Sequence, residues 1–233
     1  INGIALRPHA KTHKSVRIAR LQLDAGAVGI CTATLGETAI LSAGGITGLL
    51  ITSPIVTAAK IERLTALNAI ADGLMVVADS QEGVDALASA AGVAGKPLTV
   101  LVDFDVGLHR TGTPDAGAAL SLARRIAESN ALDFGGVQAY AGHLQHVEDY
   151  GERVRLATAQ SARVADLCER LDAAGLHPPA TTGAGTGTHD IDARLGILSE
   201  MQAGSYVFND VQYDAVALRQ DTPRPFEKAL FVR

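Results

Sequence analysis

Gly3-Ile4-Ala5-Leu6-Arg7-Pro8-His9-Ala10-Lys11-Thr12-His13-Lys14 runs from a short apolar stretch straight into a crowd of cations. The apolar residues, closed by Pro8, read as a buried strand and its exit, because proline lacks an N–H and suits a strand end better than a helix interior. Lys11 stands there beside an arginine, two histidines and a second lysine. Neighbouring positive charge and partial desolvation both disfavour an ammonium ion and lower its pKa. The neutral amine can then condense with a carbonyl, which is the chemistry of a Schiff-base lysine. Taken alone, these residues leave two other readings open. One is a solvated basic surface. The other is a metal pair made by His9 and His13, four residues apart, although no glutamate follows His9 as it would in a helical zinc motif.

Apolar runs of strand length return along the chain: Ala27 to Cys31, Gly48 to Thr52, Gly73 to Ala78, Leu98 to Asp103, Phe134 to Tyr140, Pro179 to Thr182 and Ser205 to Phe208. With Gly3 to Leu6 they make eight. Between most of them lie alanine-rich, charge-bearing segments with helical spacing, at Ser15 to Ala25, Ile55 to Ala69, Gln81 to Ala91, Asp115 to Asn130 and Tyr150 to Ala174. Ser80 and the Thr113-Pro114-Asp115 triplet predict helix starts, the latter with proline in the first turn. Alternation of helices with continuously apolar strands predicts a parallel sheet buried on both faces. Eight units without a G-x-G-x-x-G after the first strand favour an α/β fold of the (β/α)8 TIM-barrel kind over a doubly wound sheet.

Composition agrees with one large domain. The 233 residues are 47% hydrophobic and 19% charged, within reach of a barrel of ~250 residues. A net charge of -5 with dispersed basic residues gives no footprint for nucleic acid, so the expected partner is a small molecule. Cys31 and Cys168 have neither disulfide-framework nor zinc-site spacing, which suits a reducing cytoplasm. No apolar run reaches the ~18 residues of a membrane-spanning helix. Ile1 at the start and the strand-like Ala229-Leu230-Phe231-Val232-Arg233 at the end predict a piece of a longer protein.

In such a barrel the site forms at the carboxyl ends of the strands, and polar residues gather there. The first exit carries Arg7, His9 and Lys11; the second and third carry Thr32, Thr34, Thr52 and Ser53. The fifth ends in Asp103-Phe104-Asp105-Val106-Gly107-Leu108-His109-Arg110-Thr111-Gly112, and the sixth in Gln138-Ala139-Tyr140-Ala141-Gly142-His143-Leu144-Gln145-His146. The seventh runs into Thr181-Thr182-Gly183-Ala184-Gly185-Thr186-Gly187-Thr188, where glycines let backbone N–H groups converge on an anion and threonines add donors. No Gly-Lys-Ser/Thr follows, which removes the nucleotide-binding P-loop reading; a flexible linker is the other reading of this segment. A reactive lysine at one strand exit and an anion cradle at another match the aldehyde and the phosphate of pyridoxal 5′-phosphate.

Four ordered strings, R-P-H-A-K-T-H-K, D-V-G-x-x-R-T-G, Q-A-Y-x-G-x-x-Q-H and T-G-A-G-T-G-T, resemble the D-threonine aldolase and D-serine dehydratase family. Its alanine-racemase-like barrel belongs to fold-type III pyridoxal enzymes. The resemblance implies a barrel over residues 1–226, the start of a β-rich C-terminal domain at 227–233, and that domain otherwise missing. It implies Lys11 as the cofactor-bonding lysine, Arg110 near it, Tyr140 beside the pyridine ring, and Thr182, Gly183, Gly185 and Thr186 on the phosphate, with Tyr206 on the phosphate side. His146 takes the place of the histidine that removes the proton of a substrate β-hydroxyl.

The implied activity is retro-aldol cleavage of D-threonine-like amino acids to glycine and an aldehyde. The alternative within the family is D-serine or D-threo-3-hydroxyaspartate dehydration, with Lys11 taking the Cα proton. The resemblance also implies a homodimer at full length and a divalent metal (Mn, Mg or Zn) whose ligands lie beyond this chain. The His189-Asp190-Ile191-Asp192 string has ligand-like spacing but sits behind the cradle. Outside the family stand a non-catalytic pyridoxal-phosphate carrier and a metal-dependent barrel hydrolase using His9, His13, His143 and His146.

Overall fold

The computed structural model describes residues 3–220 and 224–230. Eight parallel strands succeed one another: Ala5–Leu6 (β1), Ile30–Thr32 (β2), Leu49–Ile51 (β3), Met75–Ala78 (β4), Leu98–Asp103 (β5), Leu132–Ala139 (β6), Ala180–Gly183 (β7) and Glu200–Met201 (β8). Their order is β1-β8-β7-β6-β5-β4-β3-β2. The two ends of that order meet. The N–H of Val28 donates to Leu6 O and that of Cys31 to Pro8 O, both at 2.9 Å, and His9 bridges Cys31 in parallel. The sheet is therefore a closed barrel.

Period-two alternation distributes the apolar residues between two layers. Cys31, Leu50, Val77 and Leu101, all fully buried, pack together inside the barrel. Their neighbours along the strands, among them Ile30, Leu49, Ile51, Val76, Val100 and Val102, join the larger core beneath the helices. Inside the barrel, between β1 and β8, the Arg7 guanidinium meets the Glu200 carboxylate at 2.7 Å. Gly136 has a φ of +114° where the β5–β6 register shifts, and a Cβ there would strike the backbone of Ala180.

The helices are Val16–Asp24 (α1), Leu35–Ala43 (α2), Ala58–Ile70 (α3), Gln81–Ala94 (α4), Ala116–Ala127 (α5), Tyr150–Ala173 (α6) and His189–Leu195 (α7). Side-chain oxygens at their N-termini satisfy otherwise unpaired N–H groups: Ser15 for Ile18, Thr34 for Glu37, Ser80 for Gly83, Asp115 for Ala118 and Asp149 for Glu152. None of the helices among the described residues is long and apolar enough to cross a membrane.

Three expectations need correction. The eighth strand is Glu200–Met201, whereas Ser205–Val207 forms a 3-10 turn. The apolar look of Ser205 to Phe208 reflects packing: Tyr206 lies against Phe226 with ring centroids 5.8 Å apart. Pro114 precedes the cap of α5 instead of occupying its first turn. Thr32 and Thr34 serve α2, a helix absent from the expected set, Thr32 by a 2.7 Å hydroxyl contact with Thr38 and Thr34 as its N-cap. The expected closing strand falls partly on Phe231, Val232 and Arg233, which lie outside the described residues; residues 227–230 have no regular secondary structure.

Candidate active site

A cavity of about 260 Å³ opens at the carboxyl ends of the strands. Lys11, Arg110, Tyr140, His146, Gly185 and Thr186 all line it, together with His9, Ser53, Gln138, Gln202, Gly204, Ser205 and Tyr213. No carboxylate among the described residues does.

Lys11 belongs to a 3-10 turn, Ala10–Thr12, that follows β1. The His9 imidazole caps this turn, accepting the Lys11 N–H on Nδ1 at 3.2 Å, and its Nε2 lies 3.0 Å from Thr52 Oγ1. Enclosure by the cavity walls holds the Lys11 amine below the ordinary lysine range, and the Arg110 guanidinium adds to the effect. Burial, aided by Lys11 and Arg110, pushes His9 down to about 3. The crowd of cations around Lys11 is thus not the one expected. Arg7 turns inward to Glu200, and Lys14 turns outward to Glu37 at 3.5 Å. The cation that acts on Lys11 is Arg110, delivered by the loop after β5; the Arg110 side chain forms no hydrogen bond or ion pair among the described residues.

The cavity floor is a chain of buried polar groups. Gln202 Nε2 donates to Thr182 Oγ1 at 3.2 Å and to Gln138 Oε1 at 3.1 Å. Gln138 Nε2 donates in turn to Asp103 Oδ1 at 2.9 Å, and Asp103 Oδ2 accepts from Thr111 at 2.7 Å. Burial raises the Asp103 pKa against these bonds. Thr182, bonded to Gln202 behind the cavity wall, and Gly183, at the end of β7, do not themselves line the cavity.

The loop after β7 is ordered by its own contacts. The Gly185 N–H donates to Thr188 Oγ1 and the Gly187 N–H to Gln145 Oε1 at 2.8 Å. By contrast, the N–H groups of Thr186, Gly204 and Ser205 donate no hydrogen bond among the described residues, although all three residues line the cavity. A Cβ on Gly204 would come 2.8 Å from His9 O and 3.1 Å from Thr12 Oγ1, so glycine is what lets this backbone approach the Lys11 turn.

The Tyr206 N–H donates to Thr186 Oγ1 at 3.0 Å, but its side chain lies outside the cavity, where the hydroxyl accepts from Gln22 Nε2 at 2.9 Å on the α1 side. The second tyrosine that lines the cavity, beside Tyr140, is Tyr213, 4.8 Å from the His146 ring and pushed up to about 12 by burial. It arrives on a 3-10 turn, Val211–Ala215, followed by Ala217, whose carbonyl accepts from the fully buried Arg153 of α6. Only its place after the last strand, in Asp210-Val211-Gln212-Tyr213, marks it in the sequence. His143 is exposed and lies outside the cavity, next to Gln160. Among the described residues no group of three or more His, Cys, Asp or Glu could hold a metal ion.

A closed eight-stranded parallel barrel with a lysine turn after its first strand defines the class, and comparison with known proteins gives the family: residues 4–210 match the alanine racemase N-terminal domain, and the chain belongs to that family. It is 34% identical to a 3-hydroxy-D-aspartate aldolase of Paracoccus denitrificans (strain Pd 1222), over 99% of this chain and 61% of that one. It is 37% identical to a D-threonine aldolase of Arthrobacter sp, over 99% and 60%. The crystal structure of D-threonine aldolase from Filomicrobium marinum superposes with a TM-score of 0.94 at 34% identity, covering 98% of this chain and 61% of that one. The chain thus spans about 60% of the length of the curated relatives it matches.

Proposed function

We propose that this chain is the barrel portion of a pyridoxal 5′-phosphate-dependent lyase that cleaves D-threonine-like β-hydroxy-α-amino acids to glycine and an aldehyde. One observation carries the reading. Among the described residues the cavity has no carboxylate on its walls, and it holds a lysine of lowered pKa, an arginine that forms no ion pair and three N–H groups that donate no hydrogen bond. That donor set fits an aldehyde joined to a phosphate, with Lys11 toward the first and Thr186, Gly204 and Ser205 toward the second.

When bound, the cofactor supplies an electron sink for charge developing at the substrate Cα. The chain's own residues do the rest. Lys11 offers an amine that partial burial and Arg110 keep ready to react. Tyr140, with Lys11 and Arg110 against its ring, forms a wall of the cavity. His146, exposed on the rim next to Tyr213, takes the β-hydroxyl proton on an imidazole nitrogen. Both curated relatives reported above are aldolases, which sets cleavage ahead of β-elimination.

A divalent metal held by residues beyond this chain, a homodimer and a cytoplasmic setting belong to the same proposal; the two free cysteines fit a reducing compartment. Incubating the purified protein with D-threonine tests it. Glycine with acetaldehyde supports the reading, and 2-oxobutanoate replaces it with dehydration. A visible cofactor band fixed to Lys11 by borohydride but no turnover leaves a carrier. No such band removes the cofactor and favours a hydrolase.

A further inference from the structure

We infer that His9 is a positioning residue for Lys11: one tautomer of this buried imidazole, held by Thr52, fixes the turn that presents the lysine amine to the cavity. The hydrogen bonds determine the tautomer. The Lys11 peptide N–H can only donate, so the Nδ1 it faces carries no proton, and Thr52 Oγ1, 3.0 Å from Nε2, accepts there while its own proton goes to Thr32 O at 3.1 Å. The His9 proton is therefore on Nε2. Nδ1 is left bare and accepts the Lys11 peptide N–H. Protonating Nδ1 would set two N–H groups face to face and release the turn. The charged groups around the ring agree: Lys11, Arg110 and His13 all act on it, all of them basic. The residue is only 6% exposed, so the ring is held by its protein neighbours. The histidine nearest the lysine therefore works as a neutral brace, and the one cation it could have added to the cavity is withheld.

The inference rests on Lys11 being the reacting amine, and the experiment separates the two claims. Asn at position 9 can still accept the Lys11 N–H from a short side chain, as in an Asx turn, but cannot reach Thr52. Gln can reach Thr52 but loses the cap. The purified protein and its His9→Ala, His9→Asn and His9→Gln variants are treated with pyridoxal 5′-phosphate. Borohydride then traps the product, and peptide mapping gives the initial rate of labelling at Lys11. The expected result is a rate about tenfold lower for Ala and Gln, with Asn within about threefold of the parent, in line with one hydrogen bond of about 1.4 kcal/mol.

Undiminished labelling in the Ala variant, recovery by Gln alone, or equal recovery by both overturns the positioning role. If the parent protein is not labelled at Lys11, the functional reading fails instead. Thr52→Val, near in shape to the parent residue, keeps the inference testable should the His9 variants fail to fold. It frees the ring to change tautomer and should slow labelling about threefold; an unchanged rate overturns the inference.

Discussion

Lys11 and Arg110 converge on the ring of Tyr140, the Lys11 Nζ 5.4 Å and the Arg110 Cζ 5.9 Å from its centroid. Enclosure is the larger cause of the lowered lysine pKa and Arg110 the next. Arg110→Gln should therefore move the pH profile of Lys11 labelling to higher pH without restoring ordinary lysine behaviour. Labelling at pH 7 should slow. A profile that stays put would mean that the guanidinium does not act on the amine.

His146→Ala should lower the rate of aldehyde release from D-threonine by about 10²- to 10⁴-fold, the usual worth of a positioned general base. Because His146 lies on the exposed rim, the cofactor spectrum should not change. Coupled assay of the aldehyde beside an absorption scan checks both halves.

Two tyrosines make opposite predictions. Tyr206→Phe removes a hydroxyl bound to Gln22 outside the cavity and should cost about 1 kcal/mol of stability while leaving pyridoxal-phosphate affinity unchanged. Tyr213→Phe, inside the cavity and influenced by Ser205 and Thr186, should weaken that affinity by about three- to tenfold. Equilibrium titration of both variants decides between them.

The Arg7–Glu200 pair has side chains only 10% and 9% exposed. Glu200→Gln leaves the guanidinium without its counter-charge and should cost about 3 kcal/mol in urea unfolding, whereas Arg7→Met with Glu200→Leu should cost far less. A milder loss in the single variant would show that the Arg7 bond to Gly48 O suffices to hold the charge.

His9 gives stability an acid limb of its own. Its pKa in the folded protein, about 3, lies below the unfolded 6.5, so the unfolded chain binds the proton first and stability falls as pH drops from 6.5 toward 3. Between pH 6.5 and 5, above the range of most carboxylates, the loss from this group should be roughly 1.5 kcal/mol. His13, His143 and His189 are lowered in the same direction, so the informative quantity is the difference between the parent and His9→Gln. The variant's curve should be flatter over that interval.

Seven of the eight strands could be read from the sequence because barrel strands buried on both faces are apolar without interruption. β8 could not: at two residues, one of them the charged Glu200, it offers neither length nor hydropathy. α2 was hidden by its small, mixed residues, although Thr34 and Glu37 hold the spacing of a capping box, with Glu37 accepting from the Ala33 N–H at 2.9 Å. For the site, Lys11, Arg110, Tyr140, His146, Gly185 and Thr186 were legible because strand exits in a barrel must converge. What stayed hidden was direction. Arg7 and Tyr206 carry the right chemistry, but strand alternation turns one into the barrel and the course of the chain after Gly204 carries the other toward α1. Tyr213 comes from a segment with no strand or helix period to place it.

Pro8 gives the barrel an uneven compliance. The N–H groups of Ala5, Arg7 and His9 all donate toward the β8 side, whereas on the β2 side Val28 and Cys31 donate to β1 and Pro8 has no N–H to return. The first strand is thus anchored on one flank and only leaned upon along the other, and the Lys11 turn hangs at that looser joint. In the proposed function Lys11 would give way to an arriving amine and later return, which asks of its turn a short, repeatable excursion. Missing a donor at this one residue, the wall is a hydrogen bond short where the Lys11 turn begins.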